Sequence, residues 1–307
     1  GTFKGDEELK PKTPRQKQEK KTLLLHSNID SVGYREVRTL ALTSNLQEAE
    51  IPRSKSELVT LLPHQVDGVA RLQHLFRLQG EHNVRGALLA DDMGLGKTFQ
   101  LLTLMAWILE KNPLSAPMLI VAPVSLLENW KEEADKFYPG AFKILTAYGD
   151  ALKPLRLSRE EIDTRLKSED GLVKFLRPGW VGSANVVLTT YETLRDLEFS
   201  FANVYWSLMV CDEAQKIKNP AAMVTRAAWR QNVGFRISCT GTPVENTLVD
   251  LWSLFEFCQP GLLGALNDFG KLYRRPIEID ERDDEGKQRL DELRSLIEPQ
   301  MLRRTKQ

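Results

Sequence analysis

The chain has 307 residues, of which 42% are hydrophobic, and its 42 Lys and Arg residues balance its 42 Asp and Glu residues. This composition excludes collagen-like, coiled-coil and wholly disordered proteins, and a net charge of zero means that a polyanion would have to bind a local basic patch. The three cysteines, Cys211, Cys239 and Cys258, form no CxxC pair, which argues against a Cys-based zinc site and for a reducing compartment. No apolar stretch is long enough to span a membrane and no signal peptide opens the chain, so we expect a soluble intracellular protein.

The N-terminal part of the chain differs in composition from the remainder. Residues 1–22 are rich in charge and contain only Phe3 and Leu9 as large apolar side chains. Such a segment buries too little apolar surface to offset its ordering entropy, so we predict a disordered basic tail or linker. Residues 23–57 form an extension without an assigned role, and residues 58–307 form the predicted folded domain. Within that domain, residues 149–182 are charged and lack a strand pattern, which predicts a surface insertion.

From residue 58 onward, strand-like apolar runs alternate with helical patterns, which indicates an α/β fold. The runs are continuously apolar, as expected for a mainly parallel sheet with helices on both faces. The predicted strands are Gly86–Ala90, Met118–Ala122, Lys143–Ala147, Asn185–Thr189, Ser207–Cys211 and Phe235–Cys239. The predicted helices are Gln65–Leu78, Thr98–Glu110, Leu126–Phe137, Ala221–Trp229 and Val249–Phe257. Capping boxes predict helix starts at Ser125 and Ser158, and an acidic loop, Asp280–Glu285, is predicted before a final helix.

The stretch after the first predicted strand has the pattern of a phosphate-binding loop. It contains Asp92, Met93, Gly94, Leu95, Gly96, Lys97 and Thr98, and an apolar helix follows. Backbone N–H groups in such a turn and the helix N-terminus attract phosphate, Lys97 would reach the β- and γ-phosphates, and Thr98 would ligate Mg²⁺. The strict GxxxxGK[ST] pattern has glycine at position 91, where this chain has Asp91. The loop is therefore the shorter GxGKT form.

Two further strands end in polar residues. The fifth predicted strand is followed by Asp212, which can hold Mg²⁺ through its water shell, and by Glu213, which can orient or deprotonate an attacking water. The sixth leads into Thr240, Gly241 and Thr242, at the carboxyl edge where open α/β sheets bind ligands. Together the three stretches predict a nucleotide site at one edge of the sheet.

Seven motifs in chain order resemble the first RecA-like lobe of the Swi/Snf-type ATPases in helicase superfamily two. The resemblance covers Leu58 to Lys306. The seven motifs are Leu61–Gln65, Asp92–Thr98, Ala122–Trp130, Leu188–Thr193, Lys216–Pro220, Thr240–Pro243 and Met301–Lys306. The resemblance implies a RecA-like P-loop fold, ATP and Mg²⁺ as cofactors, and double-stranded DNA as a partner bound through its backbone.

The resemblance also implies roles for single residues. Gln65 would read adenine, and Thr240, Gly241 and Thr242 would link hydrolysis to movement of the lobe. The implied contacts to the DNA backbone are Ser125, Asn129, Thr190, Lys216 and Lys218. Met301–Lys306 matches the segment that leaves the first lobe, and family members continue with a second RecA-like lobe that supplies arginines to the nucleotide site. Since this chain stops at Gln307, we expect weak or absent ATPase activity from it alone.

Two features resemble bacterial members and favour a bacterial cytoplasm over a nucleus. They are the pair Asp91–Asp92 before the loop and Gln215, which gives Asp-Glu-Ala-Gln where typical eukaryotic remodellers have DEGH or DEAH. A separate departure is His64, which replaces an aromatic residue that is more usual beside Gln65. Relatives of this kind serve in chromosome maintenance, RNA polymerase recycling and antiviral defence. Two alternatives stay open: a helicase lobe that separates strands, and a non-catalytic scaffold gated by nucleotide. The intact Lys97, Thr98, Asp212 and Glu213 argue against the scaffold.

Overall fold

The structure is a computed structural model that describes residues 42–80, 82–157, 175–244, 246–279 and 284–306. Within this part of the chain, seven parallel strands form one sheet in the order β3-β4-β2-β5-β6-β1-β7. The strands are β1 (Gly86–Leu89), β2 (Met118–Val121), β3 (Ile144–Thr146), β4 (Val186–Thr189), β5 (Trp206–Asp212), β6 (Val233–Cys239) and β7 (Met301–Leu302). The predicted α/β class and all six predicted strands are confirmed, and β7 is an addition.

Helices cover both faces of this sheet. They are α1 (Pro63–Arg77), α2 (Lys97–Lys111), α3 (Val124–Phe137), α4 (Tyr191–Asp196), α5 (Glu198–Ala202), α6 (Met223–Trp229), α7 (Leu248–Cys258), α8 (Leu266–Phe269), α9 (Arg275–Ile279) and α10 (Asp284–Ile297). A π-helical turn, Gly270–Arg274, joins α8 to α9, and short 3-10 helices occupy Gly149–Leu155, Ala214–Ile217 and Glu298–Gln300. The five predicted helices are confirmed, and their ends differ from the prediction by at most two residues. No helix in the described part of the chain is long and apolar enough to cross a membrane.

The alternation of side chains along each strand divides the core into two apolar layers. In β1, Leu88 belongs to the layer beneath α4 to α7 and α10, whereas Leu89 belongs to the layer beneath α1, α2 and α3. Both side chains are fully buried. Because every strand is covered on both faces, the strands read as continuous apolar runs in the sequence.

Residues 42–57 pack against the folded domain. Glu50 pairs with Arg77 of α1 and with Lys111 of α2, and its other contacts are Gln73 and Trp107. The backbone of residues 53 and 54 donates to the Glu110 side chain. These residues therefore connect the first two helices to each other. The division of the chain at residue 58 stays a prediction, and the predicted tail 1–22 lies outside the described residues.

Two local predictions need correction. The predicted cap at Ser125 is wrong, because α3 begins at Val124 after Pro123, whose restricted φ already suits entry into a helix. Asp284 and Glu285 were predicted in a loop but form the first turn of α10, where carboxylates interact favourably with the helix dipole. The predicted helix start at Ser158 lies outside the described residues, as does the rest of the acidic run.

The two ends of the predicted insertion are anchored in the core. Leu152, Leu176 and Trp180 are buried there, and the Trp180 ring lies 4.9 Å from the ring of Phe201. Arg156 and Leu176 form an antiparallel bridge that brings the ends together. Most other described residues at these two ends are exposed, including Asp150 and Lys153. Residues 158–174 lie outside the described part of the chain, so the surface insertion stays a prediction.

Candidate nucleotide-binding site

The ends of three adjacent strands bring the sequence motifs together. β6 lies between β1 and β5, and Cys239 near its end pairs with Leu89 of β1 and with Asp212 of β5. Because all three strands are parallel, the loops that follow them leave the sheet at the same edge. The loop after β1, the two carboxylates after β5 and Thr240 after β6 therefore lie side by side.

The loop after β1 has the geometry of a phosphate-binding loop. Gly94 and Gly96 have φ values of 81° and 79°, which glycine adopts without strain, and α2 begins immediately afterwards at Lys97. The Lys97 ammonium donates to the backbone oxygens of Asp91 (2.8 Å) and Asp92 (3.3 Å), so it lies against the base of the loop. The unpaired N–H groups of the first turn and this ammonium form a site suited to phosphate.

The first turn of α1 docks against the same loop. The Gln65 Nε2 donates to the backbone oxygen of Leu95 (3.3 Å), and its Oε1 accepts from the N–H of Leu62 (2.9 Å). A Cβ built on Gly96 would lie 2.2 Å from the Gln65 Nε2, so this close approach requires glycine. The His64 ring also lies 3.1 Å from the Leu95 oxygen. The Gln65 side chain keeps one N–H and one lone pair with which it could bind a base.

Asp212 is a buried carboxylate held in one orientation. Its two oxygens accept hydrogen bonds from Trp130 Nε1 and from the Glu213 N–H, each at 2.9 Å. The Tyr191 hydroxyl donates to its backbone oxygen at 2.6 Å. Burial raises the pKa of Asp212 above its ordinary value, and the hydrogen bond from Trp130 opposes this shift. The remaining lone pairs of the carboxylate can face a cation or its water shell.

A chain of hydrogen bonds joins Glu213 to the loop after β6. Gln215 Nε2 donates to Glu213 Oε2 at 2.6 Å, and the Thr240 hydroxyl donates to Gln215 Oε1 at 2.9 Å. Gly241 in turn lies beside the phosphate loop, because a Cβ built on it would be 3.6 Å from the Met93 side chain. The acidic motif, the Thr240–Thr242 loop and the phosphate loop are thus in direct contact.

Glu133 of α3 is a site residue that the sequence motifs did not indicate. It accepts a hydrogen bond from Asn129 Nδ2 at 3.1 Å and lies near the Thr98 side chain. Burial raises the pKa of Glu133, and the neighbouring Asp212 carboxylate adds to this shift. The sequence offered one signal for Glu133, its position three residues after Trp130. Residues three apart lie on the same face of a helix, so Glu133 shares the face of α3 that carries Trp130.

These residues fit a magnesium ion that binds together with a nucleotide. The Thr98 hydroxyl and the Asp212 carboxylate are hard oxygen ligands, and the Glu133 carboxylate lies near both of them. In the described residues, no group of three His, Cys, Asp or Glu side chains could hold a metal ion by itself. Mg²⁺ commonly takes one or two protein ligands and completes its shell with water and phosphate oxygens. When bound, it would neutralise charge on the β- and γ-phosphates.

The predicted DNA contacts differ in accessibility. Ser125, Asn129 and Lys216 are exposed, and Lys218 is half-buried in the turn that follows Glu213. Thr190 is only 7% exposed, and its hydroxyl oxygen accepts from the Thr193 N–H at 3.1 Å as the cap of α4. Its hydroxyl also bonds to the Thr193 hydroxyl. The side chain of Thr190 is therefore already engaged within the chain.

The last described residues form an edge strand that sequence reasoning missed. β7 pairs with β1, and the backbone contacts continue beyond it, because Ala90 donates to Leu302 (2.7 Å) and Asp92 donates to Arg304 (3.0 Å). Only two apolar residues, Met301 and Leu302, form this strand. A run of this length carries no strand signal in the sequence.

Arg304 explains the departure at position 91. Asp91 is fully buried, and its two oxygens accept from Nε (3.0 Å) and Nη2 (2.8 Å) of Arg304 in a bidentate pair. The same guanidinium donates to Gln100 of α2 and to the backbone oxygen of His64. A Cβ on Gly68 would lie 2.5 Å from Arg304 Nη2, so this glycine leaves room for the guanidinium. Arg304 therefore joins α1, α2 and the start of the phosphate loop.

The parallel sheet, the phosphate loop after β1 and the acidic pair after a nearby strand define a RecA-like P-loop domain. The chain belongs to the SNF2-related domain family, whose model matches residues 42–307. The family expected from the seven motifs is thereby confirmed.

The chain is similar to several longer proteins. It is 54% identical to Zorya protein ZorD of Escherichia coli and 36% identical to the putative ATP-dependent helicase/translocase YwqA of Bacillus subtilis. These matches cover 93% and 88% of this chain but only 26% of each relative, so the chain spans about a quarter of their length. Among solved structures, it resembles the Sulfolobus solfataricus SWI2/SNF2 ATPase core in complex with dsDNA, with a TM-score of 0.65 and 34% identity. That match covers 84% of this chain and 47% of the other.

Proposed function

We propose that this chain is the ATP-binding and ATP-hydrolysing first motor lobe of a longer protein that moves along double-stranded DNA. In this proposal Gln65 reads adenine, the loop from Asp92 to Thr98 binds the phosphates, and Lys97 contacts the β- and γ-phosphates. Thr98 and Asp212 hold Mg²⁺, partly through water, and Glu213 orients or deprotonates the attacking water. The proposed lobe comprises residues 58–307 together with the packed residues 42–57.

The observation that carries the proposal is the hydrogen-bonded path from the carboxylate to the coupling loop. Glu213 bonds to Gln215, and Gln215 bonds to Thr240. If Glu213 moves during hydrolysis, these hydrogen bonds would therefore shift the position of the loop that contains Thr240, Gly241 and Thr242. A motor requires such a link, because hydrolysis without a conformational consequence does no work on DNA.

DNA is proposed to bind through its backbone at the same edge of the sheet. Ser125, Asn129, Lys216 and Lys218 supply donors for phosphate oxygens, and Thr190 is the weakest of the five candidates because its hydroxyl is engaged by Thr193. The SWI2/SNF2 core that this chain resembles is described as a complex with dsDNA. Backbone contacts carry no sequence information, so a marked preference for one duplex over a scrambled one would contradict this part of the proposal.

The longer protein is proposed to contain a second RecA-like lobe and to act in a bacterial cytoplasm, with a nucleus as the alternative. The chain covers 47% of the similar ATPase core, which leaves room for a second lobe of comparable size. Its identity is higher to ZorD (54%) than to the human chromatin-remodeling ATPase INO80 (30%), which favours a bacterial setting. Antiviral defence, chromosome maintenance and RNA polymerase recycling are the biological roles that we propose to test.

Calorimetric titration of the purified chain with Mg·ATP tests the nucleotide site. Lys97→Ala removes the cation at the loop, and we expect at least a tenfold loss of ATP affinity, since charge-assisted hydrogen bonds contribute about 1.5–3 kcal/mol. Glu213→Gln retains size and polarity, so it should bind ATP like the wild type and lose hydrolysis in any longer chain that hydrolyses ATP. Wild-type affinity in Lys97→Ala would show that this loop does not bind the phosphates.

A further inference from the structure

The segment Arg304–Lys306 borders a cavity beside the phosphate loop. The cavity has a volume of about 610 Å³ and is lined by His64, Leu95, Arg304, Thr305 and Lys306. It lies between the first turn of α1, the phosphate loop and the residues that follow β7. Its size is within the range of small-molecule sites. Gln65, the proposed adenine-reading residue, bonds to Leu95 in the lining of this cavity.

The backbone of the segment is fixed on the phosphate loop. The Arg304 N–H donates to Asp91 Oδ1 and the Lys306 N–H donates to Asp92 Oδ2, each at 3.0 Å. The bidentate pair between Arg304 and Asp91 adds a side-chain attachment at the same place. The segment is already ordered, so a ligand that contacts it would bind with little entropy cost for ordering the chain.

The Lys306 ammonium lies over the turn of the phosphate loop. A Cβ built on Gly94 would be 2.9 Å from the Lys306 Nζ, so the side chain reaches across the glycine at the loop's apex. Lys306 is exposed and forms no ion pair with the residues that the structure describes, whereas Arg304 is neutralised by Asp91. The loop therefore faces two cations, Lys97 at its base and Lys306 at its apex.

We propose that Lys306 binds the phosphate chain of a nucleoside di- or triphosphate and that Arg304–Lys306 form one side of the nucleotide site. The inference rests on the proposed nucleotide-binding function and extends it to residues that follow β7. An ammonium held close to a turn of backbone N–H groups adds a point charge that suits phosphate oxygens. The Lys306 side chain would then couple the position of this segment to the binding of nucleotide at the phosphate loop.

The test compares three variants in calorimetric titrations with ATP and ADP. Lys306→Met keeps the aliphatic stem without the charge and should weaken ATP binding about tenfold, as expected for one charge-assisted contact. Lys306→Arg keeps the charge and should stay within about threefold of wild type. Arg303→Met is the matched control, because Arg303 immediately precedes this segment and is exposed but lines a separate groove with Pro243 and Leu290. It should bind ATP like the wild type.

A purely structural role for Lys306 would change affinity without changing its dependence on salt. We therefore expect the ATP affinity of Lys306→Met to fall less steeply with ionic strength than that of wild type, with an unchanged urea midpoint. The proposal is overturned if Lys306→Met binds like wild type, if Arg303→Met is equally weakened, or if the salt dependence is unchanged. The Lys97→Ala variant separates the two proposals. If it loses ATP binding in any of these cases, the proposed function is retained and only the role of Lys306 is rejected. If it binds ATP normally, both the proposed function and the role of Lys306 are rejected.

Discussion

Glu213 has a backbone conformation that non-glycine residues rarely adopt. Its φ of 50° and ψ of 51° lie in the left-handed region, which costs an L-residue about 1–2 kcal/mol. The strain persists because the N–H of Glu213 bonds to Asp212 and its carboxylate bonds to Gln215. A glycine would satisfy the backbone but would remove the carboxylate. Strain at this position is therefore consistent with a functional requirement for the side chain.

This strain predicts an inverted order of stability between two variants. Glu213→Gly should be about 1 kcal/mol more stable to urea than Glu213→Ala, because both lack the carboxylate and only glycine relaxes at positive φ. The control pair is at Glu132, an exposed residue inside α3, where the alanine variant should be the more stable by about 1 kcal/mol. If Glu213→Ala proved the more stable of the two, residue 213 would not be strained.

Gln65 and Glu133 illustrate what a residue pattern can indicate. Gln65 was located by a motif, and it lies against the phosphate loop as that motif requires. Glu133 was not located, because Thr98, which lies near it in the fold, is 35 positions away in the sequence and on another helix. Local spacing places two residues on one face of a helix, but it does not specify what that face contacts.

At the scale of elements, residues 42–57 attach to α1 and α2 through Glu50. Its carboxylate pairs with Arg77 at 2.6 Å and with Lys111 at 2.5 Å. The hydrogen bond from Lys111 is the main cause that lowers the pKa of Glu50, and Trp107 contributes. The side chain is 43% exposed, so solvent screens these contacts and their effect on stability is small.

The lowered pKa of Glu50 predicts a pH-dependent contribution to stability. A carboxylate with a depressed pKa in the folded state stabilises the protein above its unfolded pKa of about 4.3, and this stabilisation is lost as the pH falls through the folded value. Between about pH 6 and about pH 3, wild type should therefore lose more stability than Glu50→Gln. Urea midpoints measured across this range provide the test, with Glu48→Gln, an exposed carboxylate in the same segment, as control. Equal losses in wild type and Glu50→Gln would contradict the prediction.

Strand β7 and helix α3 show where prediction of elements succeeds and fails. The helical pattern of α3 located the helix, but the start was misassigned because Ser125 was read as a cap although Pro123 precedes the helix. β7 was missed because it has two residues and exists through pairing with β1. A helix with a periodic apolar pattern can be predicted from its own sequence. A strand that forms only by pairing with a distant segment cannot.

At the scale of the whole molecule, one lobe supplies only part of the proposed motor. The chain covers 47% of the similar ATPase core and carries the phosphate loop and the acidic pair. In phosphoryl-transfer sites, an arginine that neutralises charge on the transferred group contributes roughly 10³–10⁵ in rate. In this family we expect that arginine from a second lobe. Arg304 does not provide it, because its guanidinium is paired with the buried Asp91.

We therefore predict little DNA-stimulated ATP hydrolysis by the 307-residue chain. A longer protein that includes a second RecA-like lobe should hydrolyse ATP faster when duplex DNA is added, and equally with two unrelated sequences. Steady-state phosphate release with and without duplex DNA measures both expectations. Strong DNA stimulation of this chain alone would show that the catalytic residues are complete within it.

The sequence by itself determined the α/β class, six strands, the five predicted helices and the seven motifs. These features depend on local properties: continuous apolar runs for covered strands, periodicity for helices, and glycine at the turns Gly94 and Gly96. The tertiary structure decided which of them touch. The order of strands brought β6 between β1 and β5, β7 joined the edge next to β1, and Arg304 reached Asp91. Arg304 and Asp91 are 213 positions apart in the sequence. Packing of the whole sheet selects such contacts, because no local pattern specifies a strand's neighbour.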